Sequence, residues 1–208
     1  MNLTEPGYDF IGKSEAPILR ALARTTSSMS GNQLIKVAGL KYNGGHVLTL
    51  RKLVKLGILL EDSRLAANYY TINREHILWP AIEIILHSGD NINDRIKEIL
   101  QQAPILQTAV SVALFGSVAR RESNADSDID LIIIIPGTQK LTDEEYDQVE
   151  QATGRIRQLT GNIVNPITIN EEELTLLITQ GGSLVNSLRT DAITLLGEEL
   201  KGKLSPSD

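Results

Sequence analysis

Two aspartates one residue apart, Asp128 and Asp130, stand at the head of an aliphatic run, and ten residues separate the first of them from a Gly116-Ser117 pair. The whole stretch reads LFGSVARRESNADSDIDLIIII over residues 114–135. Residues two apart in an extended strand project from the same face, so both carboxylates point to one side. Gly116 lets the backbone approach a ligand with no side chain in between. Ser117 adds a hydroxyl, and free N–H groups at the start of the helical turn SVARRES attract an anion. Arg120, with Arg121 after it, brings positive charge to the same place. Paired carboxylates beside such a turn suit a divalent metal holding a nucleoside triphosphate. A surface acid cluster with capping duty is the plainer alternative, but such a cluster has no need to sit between two buried strands.

The elements that must position these groups follow from pattern. Ala109–Phe115 and Asp128–Ile135 read as strands, with Asp126 and Ser127 shaping the turn into the second. The segment TDEEYDQVEQATGRIRQLTG reads as a helix and NIVNPITIN as the next strand, whose core holds one polar candidate, Asn165. Asn can ligate a cation through its carbonyl oxygen but brings no charge and cannot act as a base. Glu171, Glu172 and Glu173 fit the first turn of the following helix, where acids favour the dipole. Two amphipathic helices flank Gly181-Gly182, with Leu174, Leu177, Ile178, Leu184 and Leu188 inward. Arg189 reads as structural, and the terminal KGKLSPSD as disordered.

The first third is organised differently. PILRALART, GNQLIKVAG and HVLTLRKLVKLG carry apolar residues at helical spacing, with Ser30 as a cap for the second. Val47, Leu50, Leu53, Val54 and Leu56 form the inward face of the third. ILLEDSRLAANYYTIN then reads as a β-hairpin with Arg64 at its tip. Three helices and a hairpin resemble a winged helix-turn-helix, in which the third helix enters the DNA major groove. Its exposed side offers His46, Thr49, Arg51, Lys52 and Lys55, with Lys41 just before it. These are candidate phosphate contacts; a protein-docking or dimerisation module with a solvated basic face is the alternative. From Arg74 to Leu100 the chain reads as two helices broken at Ser88-Gly89-Asp90. Pro80 fits only near a helix start or a kink, and Trp79 is expected to pack between modules or in a dimer seam.

Composition narrows the classes. The chain has 208 residues, 41% of them hydrophobic, and no cysteine, which excludes disulfide frameworks, thiolate zinc sites and cysteine nucleophiles. His46, His76 and His87 show no metal-ligand spacing. No secretory pattern opens the chain and no apolar run is long enough to span a bilayer, so a cytoplasmic protein without membrane attachment is expected. Residues 1–75 carry ten Lys/Arg against six Asp/Glu, while the remainder carries ten against twenty, so a basic module precedes an acidic one within a net charge of −6.

The Gly-Ser pair, the ten-residue gap and the Asp-Ile-Asp triplet in GSVARRESNADSDIDL resemble the signature of DNA polymerase beta-like nucleotidyltransferases, in particular their minimal branch. The likeness covers some 22 residues, with a weaker one in the fused arrangement of winged helix and transferase. It implies that Gly116, Ser117 and Arg120 hold a triphosphate, by family analogy ATP. It implies further that Asp128 and Asp130 are the catalytic carboxylates and bind Mg²⁺. The implied reaction moves a nucleoside monophosphate onto a protein or nucleic-acid hydroxyl, and relatives of this branch act as antitoxins on a partner protein. The family's third carboxylate has no counterpart on NIVNPITIN. A nucleotide-sensing, non-catalytic DNA-binding regulator is therefore the alternative to a transferase. The expected fold class is α/β (α+β): a winged helix-turn-helix over 1–75, linker helices over 76–100, and a nucleotidyltransferase fold over 101–208. Its mixed sheet is expected to carry helices mainly on one side. A homodimer is a further expectation.

Overall fold

In a computed structural model describing residues 1–204, the chain divides into two compact units, Glu5–Asp90 and a second made of Met1–Thr4 with Asn91 onward. In the first unit α1 (Pro6–Phe10), α2 (Glu15–Ala23), β1 (Met29–Ser30), α3 (Gly31–Val37) and α4 (Gly44–Lys55) precede the hairpin β2 (Leu59–Ser63) and β3 (Asn68–Ile72), and α5 (Trp79–His87) closes it. Helix α3 begins where the Ser30 side chain accepts from Gln33 N at 3.3 Å, and α4 where Asn43 accepts from His46 N at 3.1 Å. Each cap satisfies one of the orphan N–H groups of a helix start, a contribution of about 1 kcal/mol. The three strands form an antiparallel sheet in the order β1-β3-β2, with Leu59 opposite Ile72 and Asp62 opposite Tyr69. Ile18, Leu19, Leu22, Leu34, Ile35, Leu50 and Leu53 make the core with Leu59 and Tyr70.

Several expectations for this region need correction. Leu56 is 56% exposed, as the C-cap just beyond α4, whereas Leu53 and Val54 of the last turn pack on the core. Trp79, expected between modules or in a dimer seam, is 3% exposed inside the core of its own unit. Pro80, by contrast, stands where it was expected, at a helix start: it is the second residue of α5, where a missing N–H costs nothing. No separate linker spans 76–100. Trp79 and Leu86 belong to the first core, Ile96 and Leu100 to the second, since each helix buries its apolar face within a different unit.

The second unit runs α6 (Ile92–Leu100), α7 (Pro104–Gln107), β4 (Ser111–Phe115), α8 (Gly116–Ala119), β5 (Ile129–Ile135), α9 (Asp143–Thr160), β6 (Val164–Asn170), α10 (Glu171–Gln180), α11 (Ser183–Asp191), β7 (Ile193–Gly197) and α12 (Leu200–Lys203). The sheet order is β6-β5-β4-β7, with β5 and β6 parallel and the other pairs antiparallel, so the sheet is mixed. Helices cover both faces rather than mainly one. Ile129, Leu131 and Ile133 pack with Ile96, Leu100, Leu106, Val149 and Ile156; Ile132 and Ile134 pack on the other side with Leu174, Leu188, Leu200 and Leu204. The uninterrupted run of β5 has this cause: a strand buried on both faces has no polar side to alternate with. Each of those isoleucines contributes roughly 1.5–3 kcal/mol by leaving water. Leu3, 1% exposed, lies in the same core, which brings Met1–Thr4 into this unit rather than into the one that follows it in sequence.

The edge strand β6 tolerates Pro166, whose missing N–H would break the ladder of a central strand. Of the KGKLSPSD terminus, Lys201–Lys203 end α12 and Leu204 is buried, whereas residues 205–208 lie outside the described residues. Among the described residues no helix is long and apolar enough to cross a membrane.

Candidate functional site

Strand β4 ends at Phe115, directly opposite Asp130 on β5, and the chain turns at once into the four-residue helix α8. Gly116 makes that turn with φ +72°, a left-handed conformation that side-chain-bearing residues avoid. A Cβ there would also lie 2.5 Å from Asp130 Oδ2, so glycine is required twice, for the backbone and for the space beside the carboxylate. The turn after α8 closes through Arg121 N to Val118 O (3.1 Å) and Glu122 N to Ser117 O (2.9 Å), with Arg121 itself left-handed at φ 59°.

The loop leading to Asp128 is held from behind. Asn124 N donates to Ser127 Oγ at 2.9 Å, and Asp126 N donates to Asn124 Oδ1 at 2.8 Å, so Asn124 and Ser127 make the turn while the Asp126 side chain stays exposed. Asn162, 4% exposed, donates through Nδ2 to Ser127 O at 2.8 Å and Met1 O at 2.9 Å. Ser123 Oγ accepts from Thr4 N at 3.0 Å. The N-terminal residues thereby brace the segment that delivers the first aspartate.

Asp128 immediately precedes β5 and Asp130 is the second residue of the strand. Asn165 lies opposite Asp130 in the β5–β6 register. Its Nδ2 donates to Asp128 Oδ2 at 3.1 Å and to Asp130 Oδ1 at 3.4 Å. One amide nitrogen thus sits within reach of both carboxylates, which means that the two acids converge on one point. Burial pushes the Asp130 carboxyl above its ordinary value and the Asp128 charge adds to this, while the Asn165 hydrogen bond and the Arg120 charge offset part of the rise. A cation would relieve both costs. Carboxylate oxygens aimed at one point, next to a glycine turn that lies against one of them, match the needs of a hard divalent ion. Among the described residues, though, no group of three or more His, Asp or Glu side chains is gathered around such an ion.

Arg120 is held to one side of the pair. Its Nε donates to Glu122 Oε2 at 2.9 Å and its Nη1 to Asp191 Oδ2 at 2.5 Å. These bonds raise the guanidinium pKa further. Asp191, the last residue of α11, has a side chain only 6% exposed and also accepts from Ser187 Oγ at 2.9 Å. Burial would raise its pKa, but the hydrogen bonds and charge of Arg120, with Ser187, outweigh burial and hold it below the usual carboxylate value. Arg189 turns away and donates through Nε to Leu204 O at 2.8 Å. Glu171, Glu172 and Glu173 form the first turn of α10, with Glu173 in a capping box with Asn170. Sequence reasoning missed Asp191, Ser187 and Asn162 at this site. The i, i+4 spacing of Ser187 and Asp191 hints at a pair, but nothing local announces a bond to Arg120, 71 residues away.

The basic residues of the first unit fall into two groups. Arg51 and Lys55 are exposed on α4. Lys52 is exposed too, but its Nζ is bound to Glu15 Oε1 at 2.7 Å. Burial works against the Glu15 charge, yet Lys52 and nearby backbone N–H groups hold its carboxyl below the ordinary value. His46 is tied through Nδ1 to Lys41 O at 2.8 Å. Arg64 bonds Asp62 at 2.8 Å and stacks over the Tyr69 ring at 4.2 Å. Among the described residues, Arg51 and Lys55 are the members of this set that no ion pair or hydrogen bond holds.

Residues 93–185, which include Gly116, Ser117, Asp128, Asp130 and Asn165, match the family model described as Nucleotidyltransferase domain. No curated protein matches the chain. Solved structures similar to it include a toxin–antitoxin with AMP-PNP, at 14% identity and TM-score 0.37, over 54% of this chain and 82% of that one. A doubly substituted form of the toxin–antitoxin MntA-HpeT gives 13% identity and TM-score 0.37 over the same shares of the two chains. A protein from Sulfolobus solfataricus described as a nucleotidyltransferase gives 19% identity and TM-score 0.31, over 50% of this chain and 83% of that one.

Proposed function

We propose that the second unit is a nucleotidyltransferase that holds a nucleoside triphosphate with Mg²⁺ between the Gly116-Ser117 turn and the Asp128–Asp130 pair. The observation that carries this reading is the convergence of the two carboxylates within reach of one Asn165 nitrogen, beside a left-handed glycine whose missing Cβ lets the turn lie against Asp130. Asp128 and Asp130 hold the ion, Ser117 and the backbone after Gly116 meet the phosphates, and Arg120 adds positive charge from its seat on Asp191. Bound Mg²⁺ supplies neutralisation of charge on the phosphate oxygens. In the transfer, a hydroxyl oxygen of a protein or nucleic acid bonds to the α-phosphorus. The bond from that phosphorus to the β-phosphate oxygen breaks, pyrophosphate leaves, and the hydroxyl proton passes to water, since Asn165 cannot accept it. ATP is the triphosphate we favour, by analogy with the resembled family.

For the first unit we propose a winged helix-turn-helix that binds DNA, with α4 in the major groove, Arg51 and Lys55 on phosphates, and the β2–β3 hairpin beside them. A second reading of the whole, a DNA-binding regulator that senses the nucleotide without transferring it, is favoured by the neutral Asn165 on β6. The deciding experiment supplies Mg²⁺ and α-labelled ATP with protein and nucleic-acid acceptors. Label transfer and pyrophosphate release, both lost in Asp128→Asn and Asp130→Asn, are expected. Tight Mg²⁺-dependent binding of ATP with no release supports the sensor. Absence of Mg²⁺-dependent nucleotide binding overturns both.

A further inference from the structure

The position of the Asn165 amide has a consequence for how many cations the site holds. Its Nδ2 carries two protons and is placed 3.1 Å from Asp128 Oδ2 and 3.4 Å from Asp130 Oδ1. A neutral donor already spans the gap between the two acids. The β5–β6 register puts Asn165 opposite Asp130, and the following Pro166 restricts its backbone to extended conformations. The backbone that carries the donor is therefore held in the strand.

Two divalent ions 3.5–4 Å apart, as in two-metal phosphoryl-transfer sites, repel four times as strongly as two unit charges at the same separation. Anionic oxygens must bridge and surround them. Here Asp128 and Asp130 supply the carboxylates, no third His, Asp or Glu joins them among the described residues, and the third side chain facing them is uncharged. A triphosphate brings enough oxygens to complete the shell of the ion that enters with it, but a second ion would be left with shared carboxylates and water.

We infer that the site takes a single divalent cation, carried in with the triphosphate, and that the Asn165 amide occupies the place of a second. This rests on the nucleotide-site reading above. Transfer is then slow relative to nucleotide residence, because among the described residues no further carboxylate or histidine joins the pair, and no second ion activates the attacking hydroxyl.

Equilibrium dialysis of Mn²⁺ against the full chain, saturated with an α,β-methylene triphosphate that cannot react, reads the number directly. One Mn²⁺ per chain is expected for the natural protein and two for Asn165→Asp, which adds the missing carboxylate. Asn165→Ala is expected to keep one Mn²⁺, with its apparent Kd changed less than threefold. Two ions on the natural protein, or one on Asn165→Asp, overturn the inference. So does a loss of tenfold or more in Asn165→Ala, since that would make the Asn165 oxygen a ligand. Asp128→Asn and Asp130→Asn separate the two levels. If the natural protein and both of these variants bind no Mn²⁺–nucleotide, the nucleotide-site reading itself has failed. If they lose binding while the natural protein shows two ions, only the single-cation inference has failed.

Discussion

Replacing Gly116 with alanine tests the geometry at its tightest point. Two separate costs follow from the structure. At φ +72° an L side chain costs roughly 1–2 kcal/mol. The new Cβ would lie 2.5 Å from Asp130 Oδ2, so the carboxylate must withdraw by nearly an ångström to reach ordinary contact. Forcing that side chain off its rotamer adds about 0.5–1.5 kcal/mol. Together they predict a loss near 2–3 kcal/mol, a fall in Tm of roughly 5–10 °C for a chain of this size. The functional cost is distinct. Moving one of two converging acids forfeits a charge-assisted contact of about 1.5–3 kcal/mol, which weakens Mg²⁺–nucleotide binding some tenfold to hundredfold. Gly161 provides the control, because it too is left-handed, at φ +76°, as the C-cap of α9, and nothing lies within 4 Å of its missing Cβ. Gly161→Ala should lose only the backbone part, roughly 1–2 kcal/mol, and bind nucleotide as before. Urea denaturation and calorimetric titration of each variant measure the two quantities. Equal stability losses in both variants, or unchanged nucleotide affinity in Gly116→Ala, would refute the claim that Asp130 is seated against the glycine.

Two further outcomes follow from the ion pairs. Because the Asp191 carboxyl is held below its unfolded value, its stabilising effect is complete above that value and disappears as pH falls through the lower, folded one. Asp191→Asn should therefore flatten the acid limb of the stability profile below about pH 4, measured by urea denaturation across a pH series; an unaltered limb would contradict the Arg120 pairing. In the first unit, Arg51→Ala with Lys55→Ala should weaken binding to any duplex and lower the slope of log K against log salt by about 1 per lost phosphate contact. Lys52→Ala should do less, its charge being shared with Glu15. Fluorescence anisotropy at several salt concentrations separates these cases, and equal effects would count against the assignment of contacts.

What can be read from the chain itself depends on range. The Gly116-Ser117 pair and the two aspartates are legible because one turn and one strand start bring them together locally. The buried character of β5 is legible as well, since IDLIIII has no polar alternation. That helices cover both faces follows from the same run, yet the expectation of one covered face overlooked that Ile132 and Ile134 need partners as much as Leu131 and Ile133 do. Asn165 was visible as a residue but not as a bridge, because its facing of Asp128 and Asp130 depends on strand register, which a sequence does not display. The bond from Arg120 to Asp191, the burial of Leu3 with the second unit, and the place of Trp79 in the first core are long-range packing facts of the same sort.

Pro166 has an effect beyond being tolerated at the rim of the sheet. A peripheral strand normally shows a row of amide hydrogens to which another chain's strand could zip. The pyrrolidine ring leaves the third residue of β6 without such a hydrogen, which disfavours edge-to-edge growth of the sheet there. A single imino acid thus guards against unwanted polymerisation at the margin where its immediate neighbour faces the acids.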